Sequence, residues 1–168
     1  MVVLPVPEAL CRECRLCCRF TDADLLTPWA ARPEGGASLP GPFRPPAPIA
    51  LRPGTGRMDL PVLVCDALRE ENSRCGFWGD HPADCRLYPL VLVHRDGRFL
   101  LALDPDCPFS SREDPAFFVE FATRFREEEW VRLTPADAER IRPLARREDR
   151  PHYRSVLPLP EPGMSRSA

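Results

Sequence analysis

Proline is the feature that most limits how this chain can fold, since it accounts for 22 of the 168 residues. Proline has no backbone N–H and a fixed φ, so it ends helices and is excluded from the interior of sheets. We therefore expect short elements joined by extended loops around a modest core. A fold of this kind gains from additional cross-links, and metal–thiolate bonds are one way to supply them.

The eight cysteines form one dense cluster and four isolated positions. They are Cys11, Cys14, Cys17, Cys18, Cys65, Cys75, Cys85 and Cys107. The cluster has the pattern C-x-x-C-x-x-C-C, and two cysteines separated by two residues can direct both sulfurs at one ion. A third at the same spacing, with a distant Cys-Pro such as Cys107-Pro108, is typical of a 4Fe–4S cluster. The pattern predicts a thiolate-held metal centre: an iron–sulfur cluster, with 4Fe–4S favoured, or zinc.

Spacing leaves the geometry of the cluster open. An irregular segment could wrap around the metal, whereas a helix would place Cys11, Cys14 and Cys18 on one face. Eight thiols suit two four-thiolate sites, or one site with further ligands, and His81 is an additional ligand candidate. The competing interpretations are a disulfide framework, which calls for an oxidising compartment, and unligated buried cysteines, for which packing gives no reason at this spacing.

All 23 basic residues are arginine, which excludes Schiff-base chemistry and a P-loop lysine. Four of them neighbour cysteines in the sequence: Arg12, Arg15, Arg19 and Arg86. Their guanidinium groups would offset the negative charge of several thiolates, or they are ordinary surface residues of an arginine-rich chain. The two interpretations are equally open.

The N-terminal sequence, the length of the apolar runs and the net charge indicate the cellular compartment and the possible partners of the protein. The N-terminal residues lack the basic and apolar regions of a secretory signal, and no apolar run approaches the roughly 20 residues of a membrane-spanning helix. We therefore expect a cytoplasmic protein without membrane association, where clustered thiols bind metal more often than they form disulfides. The net charge of −2, with arginines alternating with acidic residues over 140–150, argues against nucleic-acid binding. A protein partner of unknown identity is compatible with these features.

The sequence predicts one cysteine-cluster metal-binding domain over residues 1–154. Its expected class is α+β, a small irregular domain of short antiparallel hairpins and a few helices around a cysteine-ligated metal centre. A Pro- and Gly-rich surface loop spans 31–48, a helical segment over 114–150 closes the domain, and 155–168 form a flexible tail.

Apolar runs on either side of turn residues predict two hairpins. In the first, strands 49–52 and 58–65 flank Pro53-Gly-Thr-Gly56. In the second, strands 87–94 and 99–103 flank a turn that contains Asp96-Gly97.

Capping signals predict helices in the C-terminal half. Asp114 followed by Pro115 marks a helix start, after which a set of aromatic residues would be buried. That set is Phe117, Phe118, Phe121, Phe125 and Trp130. A second helix is expected from a Thr134–Asp137 capping box, with an interruption at Pro143. A short helix that contains residues 22–26 and ends before Pro28 is also expected, and the glutamates at 127–129 are expected on a solvated face.

The cysteine pattern as a whole resembles the YkgJ-type cysteine-cluster family. The matching residues are C-x-x-C-x-x-C-C over 11–18, Cys65, Cys75-Gly-Phe-Trp-Gly-Asp-His-Pro82-x-x-Cys85-Arg86-Leu-Tyr88-Pro89, and Cys107. Members are described as zinc- or iron-chelating proteins, and sometimes as iron–sulfur oxidoreductases. The resemblance implies that all eight cysteines are ligand candidates and that Arg86, Tyr88 and Pro89 frame the motif. The chain departs from the family at His81, where an arginine is usual, and at Arg15, where a glycine is frequent.

Three function classes follow. The first is an iron–sulfur protein in electron transfer or in support of a redox or methyl-transfer enzyme, since a related cysteine pattern occurs in flagellin lysine N-methylase. The second is a protein with structural zinc whose surface binds a partner, and the third is a metal chelator or sensor. Spacing supports no Ser–His–Asp or paired-carboxylate site, so the catalytic residues, if any, are unknown.

Overall fold

Short helices and antiparallel strands make up the fold, which belongs to the predicted α+β class. The computed structural model describes residues 6–14, 18–20, 43, 49–55, 61–69, 71–72, 74–77, 81, 83–143, 145 and 153–163. The helices are α1 (Glu8–Cys14), α2 (Ala83–Leu87), α3 (Pro108–Arg112), α4 (Pro115–Glu128) and α5 (Pro135–Ile141), with a 3₁₀ turn at Trp130–Arg132. The strands are β1 (Arg19–Phe20), β2 (Leu51–Thr55), β3 (Pro61–Cys65), β4 (Leu68–Arg69), β5 (Arg74–Cys75), β6 (Leu90–Arg95), β7 (Arg98–Leu103) and β8 (Arg154–Leu159).

The main sheet is built on the hairpin of β6 and β7, which confirms the second predicted hairpin. Its turn residues Asp96 and Gly97 both have positive φ, 49° and 75°, as a two-residue hairpin turn of the primed kind requires. The first strand begins at Leu90 and not at residue 87, because the residues up to Leu87 belong to α2.

The prediction of a flexible tail over 155–168 is wrong for residues 155–159, which belong to strand β8, and residues 164–168 lie outside the described part of the chain. This strand pairs with β7 and forms the edge of the sheet, whose strand order is β6-β7-β8. Pro158 lies opposite Leu100, and an edge strand tolerates proline because one side of its backbone needs no ladder partner. The indole Nε1 of Trp130 donates a hydrogen bond of 2.8 Å to the carbonyl oxygen of Pro160, which fixes the chain after the strand.

The smaller sheet, in the order β1-β3-β2, contains the first predicted hairpin. Strands β2 and β3 pair as expected, but Pro53 lies opposite Leu63 within β2 and not in the turn. The prediction that residues 53–56 form the turn is therefore wrong for residues 53–55. Proline is again tolerated because β2 is an edge strand. Strands β4 and β5 form a separate two-stranded hairpin directly after this sheet.

Helix α4 starts where its capping signal predicts. It packs on β8 and supplies much of the core. The Asp114 carboxylate accepts a hydrogen bond of 2.8 Å from the backbone N–H of Ala116. Phe118, Phe121 and Phe125 are buried, and Trp130 is fully enclosed, whereas Phe117 is half-buried. The Thr134–Asp137 capping box is present and α5 ends at Ile141, before Pro143.

Two residues contradict expectations about the surface. Phe43, within the predicted surface loop 31–48, is 1% exposed, with its ring centroid 6.1 Å from that of Phe125. Glu129, expected on a solvated helix face, is 5% exposed because it follows the end of α4, where the chain turns into the core. The predicted helix over 22–26 and the rest of loop 31–48 lie outside the described residues.

Among the helices of the described segments, none is both long enough and apolar enough to cross a membrane.

Candidate metal centre

Seven of the eight candidate cysteines lie in the described part of the chain, and Cys17 lies outside it. Cys65 and Cys107 are buried, and the other five are half-buried: Cys11, Cys14, Cys18, Cys75 and Cys85. These seven form no disulfide bonds with one another.

Helix α1 carries Cys11 and Cys14, so these two follow the helical option for the cluster. The helix ends at Cys14, and Cys18 lies just before β1. Within the described residues, α1 thus carries two of the three cysteines that one helical face would present, and Cys18 lies outside it. The third of these thiols is instead delivered by the chain that enters the small sheet.

Polar contacts dock α1 on the β4–β5 hairpin, which carries Cys75. Arg74 Nε lies 3.1 Å from Glu8 Oε1, and Arg12 Nε donates a hydrogen bond of 3.2 Å to the carbonyl oxygen of Asn72. On its other side α1 packs against α3, and its Leu10 shares the main core with Cys107, the residue before α3. Elements that carry four of the candidate ligands are thus direct neighbours.

The Cys75 sulfur accepts a backbone hydrogen bond within its own turn. The donor is the N–H of Phe77, and the N–S distance is 3.4 Å. Gly76 N–H donates at 2.7 Å to the carbonyl oxygen of Ala67, in the turn that follows Cys65. A Cβ at position 76 would lie 3.2 Å from that same oxygen, so glycine allows the two turns to approach closely.

The Cys65 sulfur, like that of Cys75, accepts backbone hydrogen bonds in the turn that follows it. Burial is the main influence and raises its pKa from 9.0 to about 11. Backbone hydrogen bonds from Ala67 and Leu68 act in the opposite direction, which is the effect of N–H groups that donate to the sulfur. The charge of Cys75 raises the pKa further, so the two sulfurs are close enough to interact.

Cys18 lies beside the same small sheet. It packs against the cluster formed by Ile49 and Cys65, and also against the cluster of Val62, Val64 and Leu68. Cys18, Cys65 and Cys75 are thus held by adjacent strands and turns at one end of the fold.

Cys85 lies on α2, next to an arginine that is not on the surface. The Arg86 and Glu129 side chains are 2% and 6% exposed, and Arg86 Nη1 lies 3.5 Å from Glu129 Oε1. The interpretation of Arg86 as an ordinary surface residue is therefore wrong. This ion pair fastens the short helix that carries Cys85 to the end of α4.

The described residues do not form a complete ligand set. In that part of the chain, no three Cys, His, Asp or Glu side chains converge as a metal ion would require. His81, the additional candidate, is half-buried. The chemistry of two cysteines does fit a metal–thiolate centre. Cys65 and Cys75 lie in adjacent tight turns, and each sulfur accepts hydrogen bonds from backbone N–H groups. Such hydrogen bonds stabilise a thiolate that coordinates a metal.

Sequence reasoning identified the cysteines but not the N–H donors around them. The local signals were Cys75-Gly76 and the Asp66-Ala67 turn after Cys65. Glu129 was also missed, because a run of three glutamates carries no sign that one of them is buried.

Comparison of the chain with protein-family models, with curated proteins and with solved structures gives no match. The resemblance to the YkgJ-type family therefore remains a prediction that depends on the cysteine pattern.

Proposed function

We propose that this chain is a metal-binding protein whose cysteine thiolates hold an iron–sulfur cluster, with 4Fe–4S favoured, or zinc. The candidate ligands are the eight cysteines of the motif, Cys11, Cys14, Cys17, Cys18, Cys65, Cys75, Cys85 and Cys107. Its setting would be the cytoplasm, where a reducing environment keeps such thiols available for metal.

The observation that carries the proposal is the pair of turns that begin at Cys65 and Cys75. Each turn directs backbone N–H groups at its cysteine sulfur, and the two turns are joined through Gly76 and Ala67. A neutral thiol is a weak acceptor and gains little from such donors, whereas a metal-bound thiolate is stabilised by them. The arrangement is thus suited to the charged form of sulfur, although burial disfavours that form without a cation.

A metal would also explain how the N-terminal half stays folded. Strands β1, β4 and β5 have two residues each, and among the described residues the apolar cluster around Cys65 has Ile49 as its other buried member. Two-stranded pairings of this length are marginal in water without additional support. Bonds from one metal to several of these elements would cross-link them, which favours a structural contribution whichever metal is bound.

An iron–sulfur cluster would supply one-electron chemistry, and zinc would supply a rigid cross-link without redox chemistry. In the first case the protein would transfer electrons or support a redox or methyl-transfer enzyme. In the second it would act as a partner-binding module, or as a chelator or sensor if the metal exchanges. In each case the chain's own contribution is the same: donors that stabilise sulfur charge and elements that bring distant thiols together.

The test is metal analysis of protein purified without oxygen. Iron with acid-labile sulfide and broad absorption near roughly 400 nm would identify a cluster, whereas stoichiometric zinc in a colourless sample would identify a zinc site. Cys65→Ser and Cys75→Ser should each lower the metal content. Ser111→Ala, a substitution at an exposed position within α3, is the control and should keep it. Neither metal in the wild-type protein, or full metal content in both cysteine variants, would refute the proposal.

A further inference from the structure

The register between β1 and β3 bears on the relative position of two cysteines. Arg19 pairs with Val64, and Phe20 pairs with Leu63. Extended by one step, the same antiparallel register would place Cys18 opposite Cys65. Cys18 directly precedes β1 and Cys65 is the last residue of β3, so both lie at the same end of the paired segment.

The spacing expected for this pair suits a disulfide. Directly opposed residues of an antiparallel ladder have Cα atoms about 4.5–5.5 Å apart. Disulfides join Cα atoms about 4.4–6.8 Å apart. Packing agrees with the register, since Cys18 lies against the cluster formed by Ile49 and Cys65. Neither backbone would have to move far for the two sulfurs to bond.

We propose that Cys18 and Cys65 are a redox pair, which a small disulfide such as oxidised glutathione links and thereby removes as metal ligands. Cys18 is the more exposed of the two and reacts first. Its sulfur bonds to one glutathione sulfur, the glutathione S–S bond breaks, and one reduced glutathione leaves with the Cys18 proton. The Cys65 sulfur then displaces the second glutathione, which leaves with the Cys65 proton. Two electrons pass to the oxidant, and an excess of reduced thiol reverses both steps.

The consequence for metal rests on the proposed function. The metal ligand is the thiolate, and a disulfide sulfur does not replace it. Oxidation of this pair would therefore remove two ligands in one event. Cys75 and its turn would remain, but a centre that has lost two sulfurs binds metal far more weakly. The pair would make metal occupancy respond to the thiol–disulfide balance of the cell.

The experiment uses the full chain as purified without oxygen. It is incubated with increasing oxidised glutathione, free thiols are blocked with N-ethylmaleimide, and the protein is digested with trypsin for mass spectrometry. Cleavage after arginine yields the fragments 16–19 and 58–69, and the second contains Cys65 alone. The expected product is a disulfide between these two fragments that dithiothreitol removes. Released metal is measured in the same samples, and circular dichroism verifies that the fold is retained.

Matched variants identify the sulfur within fragment 16–19, since that fragment contains both Cys17 and Cys18. Cys17→Ser should keep the cross-linked product, and Cys18→Ser should lose it. Fragmentation of the wild-type product between positions 17 and 18 gives the same assignment without any variant. A product that is absent from wild type, or that persists in Cys18→Ser, would overturn the redox pair.

The metal measurement separates this inference from the proposed function. Metal released in proportion to the cross-linked product supports both. Cross-linking in a protein that holds no metal when reduced supports the disulfide and refutes the proposed function. Full metal retention in a cross-linked protein refutes the claim that these two sulfurs are ligands.

Discussion

The Arg86–Glu129 ion pair is the contact whose removal should have the largest effect on stability among the polar contacts described. Its atoms are 3.5 Å apart and its side chains are 2% and 6% exposed, so water screens the charges little. Glu129→Gln keeps the shape of the side chain and removes only its charge. The Arg86 guanidinium would then stay buried without the carboxylate charge of Glu129.

The expected loss follows from the burial of both partners. Breaking a buried pair by removing one charge costs about 3–5 kcal/mol, and because glutamine still offers Arg86 an acceptor we expect the lower end, about 3 kcal/mol. For a chain of this length, a loss of that size lowers the melting temperature by about 6–12 °C. The double variant Arg86→Met/Glu129→Met removes both charges and should be more stable than Arg86→Met alone, since the buried Glu129 carboxylate is no longer present without the charge of Arg86.

The assay is urea denaturation followed by circular dichroism, with every variant in the same metal state. The matched control is the Arg124–Glu128 pair of α4, which has the same 3.5 Å separation but side chains 58% and 46% exposed. Glu128→Gln should change the free energy of unfolding by less than about 0.5 kcal/mol. If Glu129→Gln is no more destabilising than Glu128→Gln, burial does not increase the contribution of the Arg86–Glu129 ion pair to stability. That result would refute the prediction.

Three further predictions concern stability elsewhere in the chain. Asp114→Ala removes the acceptor for the Ala116 N–H and should lower the free energy of unfolding by about 1 kcal/mol in urea titration, whereas Asp114→Ser should keep most of it. Gly54→Ala places a Cβ against the enclosed Val64 side chain and should lower the melting temperature in calorimetry, and an unchanged value would contradict the packing of β2 on β3. Burial raises the pKa of Cys65 from 9.0 to about 11, so between those pH values the unfolded metal-free chain releases this proton while the folded chain keeps it. The free energy of unfolding of metal-free protein should therefore fall by about 2 kcal/mol as the pH rises from 9 to 11, and Cys65→Ala should lose most of this dependence in urea titrations at each pH.

Features that depend on neighbours in the sequence could be predicted from the sequence alone. The Asp96-Gly97 turn is one, because both residues tolerate positive φ and the flanking runs are apolar. The start of α4 at Asp114-Pro115 and the Thr134 capping box are others, since each cap joins residues within one helical turn. In these places the donor, the acceptor and the backbone conformation are all encoded within four or five residues.

Features that need a distant partner were decided by the tertiary structure. Arg154–Leu159 has the composition of a frayed end, and it becomes a strand because β7 offers an unpaired edge. Phe43 lies in a Pro- and Gly-rich stretch and is buried because Phe125 and Trp130 provide a site for its ring. Glu129 is buried because Arg86, 43 positions away in sequence, supplies the opposite charge.

The cysteines show both sides of this division. Their number and the C-x-x-C-x-x-C-C spacing predict metal chemistry, because spacing controls which sulfurs a short segment can aim at one point. Spacing says nothing about which isolated cysteine meets the cluster. That depends on packing, which puts Cys18 against the cluster of Ile49 and Cys65, and on the contact of Gly76 with Ala67, which joins the turn of Cys75 to the turn after Cys65. Register and turn contacts arise from pairing between distant segments, so only the folded chain determines them.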